Sequence, residues 1–399
     1  MKITRVESFM VAPRWIFLKV HTDEGITGIG EAVGGGDPMT GGIRAAIEGL
    51  AKEVLIGQDP RRIEHHWQMM YRGSYWRGGP VLMGAISGIE IALWDILGKS
   101  VGLPIYQLLG GKTRDRIRLY TYVGGGPKVG KVRGNPRRKG SKPRKSADKP
   151  ELEAVREGVR LRLSEGFRVM KLGAFNQLRV VDSYQKIDAA LERVAVARQT
   201  AGPEVDLMLE FHGRVSPAMA ILAEEVFRPF HPFWIEEPCL PENVDALAEV
   251  ARHSRTPIAT GERLFTRWGF REVLEKQAAR IVQPDICACG GLFEARKIAA
   301  MAETYYAGIA PHCAYGPINL AVSLQLGACT PNLVIQEFQC LGEGYLKEPF
   351  RLDAEGYVKV PEGPGLGVEL DEEAILAQPF TTWSEPKWLH PEDGSFADW

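Results

Sequence analysis

The stretch LEFHGR, residues 209–214, places Glu210 and His212 two positions apart in a sequence that otherwise predicts a buried strand. Because successive side chains of a strand alternate between its two faces, these two residues should share one face. Ionisable side chains on an inward face are costly unless something pairs with them. The pair therefore belongs either to a salt bridge or to a functional site.

Ionisable residues recur along the chain at the spacing of a strand–helix unit. The series is Glu210, Glu236, Glu262, Asp285, His312 and Glu337. Successive members are 26, 26, 23, 27 and 25 residues apart. An eight-unit strand–helix barrel of about 250 residues has units of roughly this length. Six consecutive units with an ionisable residue at the strand end predict a site at the carboxyl-terminal rim, where the active sites of such barrels lie.

Three of these residues, Glu210, Glu236 and Glu262, end successive strands. Converging carboxylates repel one another unless a cation lies among them. Oxygen ligands suit a hard ion, so the pattern predicts a Mg²⁺ site, with Mn²⁺ as an alternative. A carboxylate substrate that loses a proton would add negative charge. Lys171, on the preceding strand, is either a cation that helps to bind this substrate or a structural partner of the carboxylates.

Histidines are predicted on either side of the metal. His312 and Asp285 end neighbouring strands, and a carboxylate beside a histidine orients the ring and raises its basicity. His212 lies across the barrel mouth, so the two histidines could act as base and acid. A protonated Glu337 could donate a hydrogen bond to an enediolate oxygen.

The surrounding elements are those of an α/β protein. From residue 116 eight short β-type runs alternate with helical sequence, which predicts a parallel sheet closed into a TIM-like barrel. Before it, WIFLKVHT and ITGIGEA predict a β-hairpin, and 83–102 predicts a long helix. The expected domains are an α+β domain at 1–115, the barrel at 116–345 and a turn-rich segment at 346–399. The tail KWLHPEDGSFADW is expected to pack on the first domain.

Composition argues against several classes of protein. With 45% apolar residues, 25% charged residues and a net charge of −1, the chain gives no general sign of nucleic-acid or membrane binding. The first residues lack the apolar core of a signal peptide. None of the six cysteines forms a CxxC pair, which favours free thiols and a cytoplasmic location.

Residues 128–149 are unusual, because ten of them are Lys or Arg and one is Asp. A segment of this composition cannot form a core, so it predicts a solvated loop. Attraction of an anionic substrate and contact with nucleic acid are the two alternative interpretations.

The motifs EFHGR, WIEEP, TGER, QPD and PHC together resemble the enolase superfamily, mandelate racemase subgroup. The resemblance implies a (β/α)7β barrel under a capping domain that the C-terminal segment completes. It also implies removal of the proton α to a carboxylate, assisted by Mg²⁺, followed by loss of the β-hydroxyl. The implied substrate is an acid sugar, galactonate first, with gluconate, mannonate or an aldarate as alternatives.

Residue roles follow from the same resemblance. Glu210, Glu236 and Glu262 match the metal ligands; His312, supported by Asp285, matches the base, His212 the acid and Glu337 the stabiliser of the intermediate. Three departures stand out. Glu210 replaces the usual aspartate, Gly173 replaces the second lysine of racemases, and the basic insert has no counterpart. A binding protein with little turnover is the rival from another class, and a homo-oligomer is expected.

Overall fold

The structure is a computed structural model that describes residues 1–36, 38–124, 149–378, 380, 384 and 388–398. All but the last residue of the basic segment 128–149 lies outside the described residues. Its three interpretations therefore stay predictions.

The first domain opens with an antiparallel sheet in the order β1 (Ile3–Val11), β2 (Trp15–Thr22) and β3 (Thr27–Ala32). The predicted β2–β3 hairpin is confirmed by its register, which pairs Ile16 with Ala32 and His21 with Thr27. The sequence analysis did not predict β1. Its burial does not alternate regularly along the strand, so the period-two signal of a half-buried strand is weak there.

Helices cover this sheet. The first, α1 (Met39–Leu50), continues into a wider turn at Ala51–Leu55 and is followed by α2 (Ile63–Arg72), α3 (Gly79–Val101) and α4 (Ile105–Leu108). The long predicted helix is α3, which ends where Gly102 adopts a left-handed conformation with φ of 70°. By length and composition α3 could cross a membrane, but 83% of its most apolar window is buried inside the protein. It is the core helix of the capping domain.

Eight parallel strands build the second domain: β4 (Arg116–Tyr122), β5 (Val169–Gly173), β6 (Asp206–Glu210), β7 (Ile235–Glu236), β8 (Ile258–Thr260), β9 (Ile281–Val282), β10 (Gly308–Ile309) and β11 (Gln336–Glu337). The helices that follow the first seven strands are α5 (Pro150–Ser164), α6 (Tyr184–Ala201), α7 (Pro217–Phe227), α8 (Val244–His253), α9 (Thr266–Glu275), α10 (Leu292–Thr304) and α11 (Pro317–Ala328).

The strands run β10–β9–β8–β7–β6–β5–β4–β11, and a parallel bridge between Ile309 and Leu333 closes the circle. The expected (β/α)7β barrel is thereby confirmed. Each of the eight strands contributes one residue, from the strand itself or directly beside it, to a buried layer that fills the barrel: Tyr120, Val169, Met208, Trp234, Ala259, Ile281, Ala310 and Ile335. The barrel is therefore a packed core with its polar residues above this layer.

The C-terminal segment joins both domains. Its strand β12 (Tyr357–Lys359) pairs antiparallel with β4, and it continues to a short helix, α12 (Glu372–Leu376). The N–H of Leu366 donates to Asp95 of α3 at 2.9 Å, so this part completes the capping domain as expected. The first barrel strand, β4, begins at Arg116, so we propose domains at 1–115, 116–345 and 346–399.

The last described stretch, 388–398, differs from its prediction. The ring of Trp388 lies 5.1 Å from the guanidinium of Arg214, and Asp393 pairs with Arg179 at 2.9 Å. Both partners belong to barrel loops, after β6 and β5. These contacts place the described part of the tail at the barrel rim, whereas the prediction placed it on the first domain.

Candidate active site

The predicted site residues stand directly above the apolar layer of the barrel. Side chains two residues apart on a strand point the same way, so each residue two positions after a layer residue also faces the barrel axis. In five strands this next inward residue is a predicted site residue: Lys171, Glu210, Glu236, His312 and Glu337. Glu262, Asp285 and His212 follow in the loops beyond their strands.

Carboxylate oxygens of Glu210, Glu236 and Glu262 all lie within 4.8 Å of one another. Burial, followed by the neighbouring Glu210, raises the pKa of Glu236 to about 7. The Oε2 atom of Glu210 is buried and lies 3.2 Å from Nζ of Lys171 without making a hydrogen bond. Three clustered hard oxygen donors, one with an unused lone pair, fit a divalent cation.

Lys171 is held by carboxylates inside the barrel. Its Nζ lies 2.7 Å from Glu236, 2.8 Å from Glu337 and 3.2 Å from Glu210, and the residue is 3% exposed. Burial opposes the charge, but these neighbours raise the pKa of Lys171 well above its usual value. An ammonium group has three hydrogens, and three carboxylates already surround that of Lys171. The geometry therefore favours a structural role for Lys171 over substrate binding.

His312 and Asp285 form the expected pair. Nδ1 of His312 lies 2.7 Å from Oδ2 of Asp285, and Nε2 faces Glu262 at 3.3 Å. Burial opposes protonation, but Glu262, Glu337 and Asp285 together raise the pKa of His312 to about 10. A cation bound to Glu262 would weaken the attraction between Glu262 and His312, which is the largest of these favourable interactions. Because Nδ1 is held by Asp285, Nε2 is the atom that remains to accept a proton.

His212 follows β6, four strands from β10 in a circle of eight, so it lies across the barrel from His312. Its backbone has a φ of 53°, and its N–H donates to Oε1 of Glu210 at 2.7 Å. Burial lowers the pKa of the His212 imidazole to about 4. To act as an acid, this imidazole requires additional negative charge nearby, which an anionic substrate would bring.

Glu337 differs from its predicted protonated state. Its Oε1 pairs with Lys171 at 2.8 Å, and its Oε2 accepts the N–H of Cys313 at 3.0 Å. Burial alone would raise the pKa of Glu337, but Lys171 and His312 lower it below the usual value. Both neighbours therefore favour the ionised form of this carboxyl. The sequence could not show that Lys171 would lie against it.

A cavity of about 370 Å³ opens beside Glu262. Residues of both domains line it: Val33, Met39 and Pro80 from the capping domain, and Pro241, Glu242, Glu262, Arg263, Phe265 and Ala288 from the barrel. The cavity lies between Glu262 of the carboxylate cluster and the capping domain, and Arg263 provides a cationic side chain in its lining.

Two further residues beside the site were missed by sequence reasoning. Asn319 of α11 donates to Asp285 at 3.3 Å, and Glu31 of β3 accepts the N–H of Asn319 at 2.9 Å. The Gly-Pro at 316–317 could have marked the start of α11 and hence placed Asn319 in its first turn. Glu31 carries no such signal, because its partners are far along the chain.

Comparison with known proteins agrees with this architecture. Residues 6–110 match the family model of the mandelate racemase/muconate lactonizing enzyme N-terminal domain, and residues 153–374 match the enolase C-terminal domain-like model. The chain is 42% identical to the D-galactonate dehydratases of Ralstonia pickettii and Cronobacter sakazakii, over the full length of each protein.

Solved structures give the same result. A member of the enolase superfamily from Salmonella Typhimurium superposes with a TM-score of 0.84 at 33% identity, covering 95% of this chain and 98% of that one. A mandelate racemase/muconate lactonizing enzyme from Jannaschia sp. CCS1 gives a TM-score of 0.83 at 32% identity, covering 96% and 98%.

Proposed function

Since the chain belongs to the mandelate racemase/muconate lactonizing enzyme family of the enolase superfamily, we infer that it is a sugar-acid dehydratase, a hydro-lyase. It removes the proton α to the carboxylate and expels the β-hydroxyl as water, which gives a 2-keto-3-deoxy acid. D-Galactonate is the proposed substrate, because relatives that are 42% identical over their full length are named D-galactonate dehydratase.

The observation that supports this chemistry best is the arrangement of two imidazoles on opposite sides of a three-carboxylate cluster. His312 is held at Nδ1 by Asp285, which leaves Nε2 directed at Glu262 and the cluster. His212 lies four strands away around the barrel. One imidazole can thus take a proton while the other gives one.

We propose that Glu210, Glu236 and Glu262 hold Mg²⁺, or Mn²⁺ in its place. The bound ion supplies Lewis-acid stabilisation of the negative charge that develops on the substrate carboxylate. Lys171 keeps the cluster and Glu337 compact because its ammonium group lies within 3.2 Å of Glu210, Glu236 and Glu337.

The protein's own residues transfer the protons. Nε2 of His312 accepts the α-proton, and Asp285 stabilises the resulting imidazolium through Nδ1. The C–O bond to the β-hydroxyl breaks as protonated His212 gives its proton to the departing oxygen. The enol that remains tautomerises to the keto acid, and solvent returns the proton from His312 to His212. Atoms and charge balance, because the products are the keto acid and one water.

The decisive experiment incubates the purified protein and Mg²⁺ with a library of acid sugars and assays 2-keto-3-deoxy products. D-Galactonate should react fastest, and gluconate, mannonate or an aldarate would identify a different specificity. If no acid sugar reacts but one raises the melting temperature in Mg²⁺, the chain is a binding protein and the dehydratase proposal fails.

Cellular context is also a proposal. All six cysteines are free and buried, which suits a reducing compartment, and we propose a cytoplasmic enzyme. We propose a homo-oligomer as well, which sedimentation of the purified protein would test.

A further inference from the structure

Glu31 links the capping domain to the barrel at a buried junction. Its side chain is fully buried, and its two oxygens accept the N–H groups of Gly316 at 2.5 Å and of Asn319 at 2.9 Å. These N–H groups belong to the start of α11, where backbone donors lack partners within the helix. A carboxylate from another domain therefore fixes the start of this barrel helix.

The same helix start reaches the proton-transfer pair. Nδ2 of Asn319 donates to Oδ1 of Asp285 at 3.3 Å, and the hydroxyl of Ser323 donates to Oδ1 of Asn319 at 3.3 Å. The Ser323 contact sets which end of the amide faces Asp285. Asn319 and Ser323 are both fully buried, so water does not substitute for these contacts.

Both oxygens of Asp285 are engaged. Oδ1 accepts the N–H of Cys287 at 2.8 Å and the Asn319 amide, while Oδ2 faces Nδ1 of His312 at 2.7 Å. A carboxylate fixed on one oxygen presents the other in a single direction. The direction of the Asp285–His312 hydrogen bond thus depends on where the first turn of α11 lies.

The segment between His312 and α11 is tightly enclosed by the capping domain. A Cβ atom on Gly316 would lie 2.7 Å from Glu31, 2.8 Å from Trp15 and 2.9 Å from Phe17. The sheet of the first domain therefore contacts this segment directly, four residues after His312. A shift of β3 would move the helix start and the histidine-bearing segment together.

We propose that Glu31 is a positioning residue for the proton-transfer pair, acting through the first turn of α11 and Asn319 on Asp285 and His312. The proposal rests on the function proposed above, in which His312 takes the α-proton. It makes docking of the capping domain a condition for correct alignment of the base.

A matched control exists in the same domain. Glu90 of α3 is 1% exposed and accepts the N–H groups of Leu292 at 2.7 Å and Phe293 at 2.9 Å, at the start of α10. It therefore holds a barrel helix as Glu31 does. Among the contacts of the described residues, however, no side chain of α10 bonds to Asp285 or His312.

The test compares Glu31→Gln, Glu90→Gln and Asn319→Ala in the full chain with Mg²⁺. Glu31→Gln turns one acceptor into a donor that faces an N–H, and Asn319→Ala keeps the Glu31 contacts but removes the amide. We expect both to lower kcat by about 10- to 100-fold with little change in KM, the size typical of lost supporting hydrogen bonds. Glu90→Gln should keep kcat even if its melting temperature falls.

A second measurement does not depend on turnover. The low-field proton signal of the His312 Nδ1–H, identified by its loss in His312→Asn, should shift or broaden in Glu31→Gln and Asn319→Ala but not in Glu90→Gln. An unchanged signal in Glu31→Gln, or equal kcat losses in Glu31→Gln and Glu90→Gln, would overturn the proposal. If the unaltered protein dehydrates no acid sugar, the proposed function fails, while this signal still tests the positioning. Should Glu31→Gln not fold, Asn319→Ala decides alone.

Discussion

At the residue scale, Glu210 stands where the family resemblance implies an aspartate, and its two oxygens make different contacts in the site. Its Oε1 accepts the N–H of His212, and its Oε2 faces Lys171. One oxygen therefore supports the turn that carries His212, and the other remains for a cation. The longer acid combines these two contacts within one side chain.

We expect Glu210→Asp to retain dehydration, because the family resemblance implies an aspartate at this position. Glu210→Gln should bind Mg²⁺ weakly and lose activity, since it removes one negative charge. Mg²⁺ titration by calorimetry together with product formation checks both variants. Collapse of activity in Glu210→Asp would show that the longer side chain is required for this chemistry.

The two histidines should have separable roles. His312→Asn should abolish exchange of the α-proton with deuterated solvent, because no other described group is placed to accept that proton in the proposed mechanism. His212→Asn should block dehydration while exchange continues. Asparagine tolerates the positive φ of 53° at position 212, so backbone strain is not added. Equal loss of both steps in the two variants would contradict this division.

Glu236 makes metal binding depend on pH. Burial and Glu210 raise its pKa to about 7, so below that pH the carboxyl holds a proton that a cation must displace. Mg²⁺ should therefore bind more weakly at pH 6 than at pH 8. Calorimetric titrations at both pH values test this, and Glu236→Gln, which cannot titrate, should bind weakly at each.

At the scale of elements, α3 lies unusually close to the sheet of the capping domain. A Cβ atom on Gly30 of β3 would lie 2.1 Å from the carbonyl oxygen of Gly88, and one on Gly28 equally close to that of Ala92. Because side chains alternate along a strand, Glu31 points from the opposite face of β3, and the contact with α3 fixes the strand that carries it. The absence of a side chain at these two positions is thus a packing requirement.

Gly30→Ala should lower the free energy of unfolding by about 1–3 kcal/mol, since a backbone oxygen cannot move aside as a flexible side chain can. Gly49→Ala in α1 is the control, because a Cβ there meets nothing within 4 Å. It should stabilise the protein by up to about 1 kcal/mol through helix propensity. Urea unfolding of both variants tests the contrast, and equal stability changes would contradict the close approach.

At the scale of the whole molecule, the proposed metal ligands lie at the ends of β6 and β7 and just after β8, which only the folded barrel brings together. A ligand that binds only the native state stabilises it by mass action. Mg²⁺ at about 100 times its Kd should therefore add about 2.7 kcal/mol to the free energy of unfolding. Calorimetric melting with Mg²⁺ and with a chelator checks this, and the difference should vanish in Glu236→Gln.

The sequence by itself determined the barrel and the types of residue on its rim. Strand–helix units recur at nearly constant length, and side chains on a strand alternate with a period of two. Both signals are local, so Glu210, Glu236 and His312 could be placed on one rim before any contact was known.

The tertiary structure alone decided which of these groups meet and in what charge state. Lys171 lies against carboxylates of three other strands, and together with His312 it lowers the pKa of Glu337. The bond from Glu31 to Gly316 spans 285 residues. Contacts between distant residues leave no periodic pattern in the sequence, and the pKa of a buried group depends on those contacts. Neither the contacts nor the charge states could therefore be derived from the sequence.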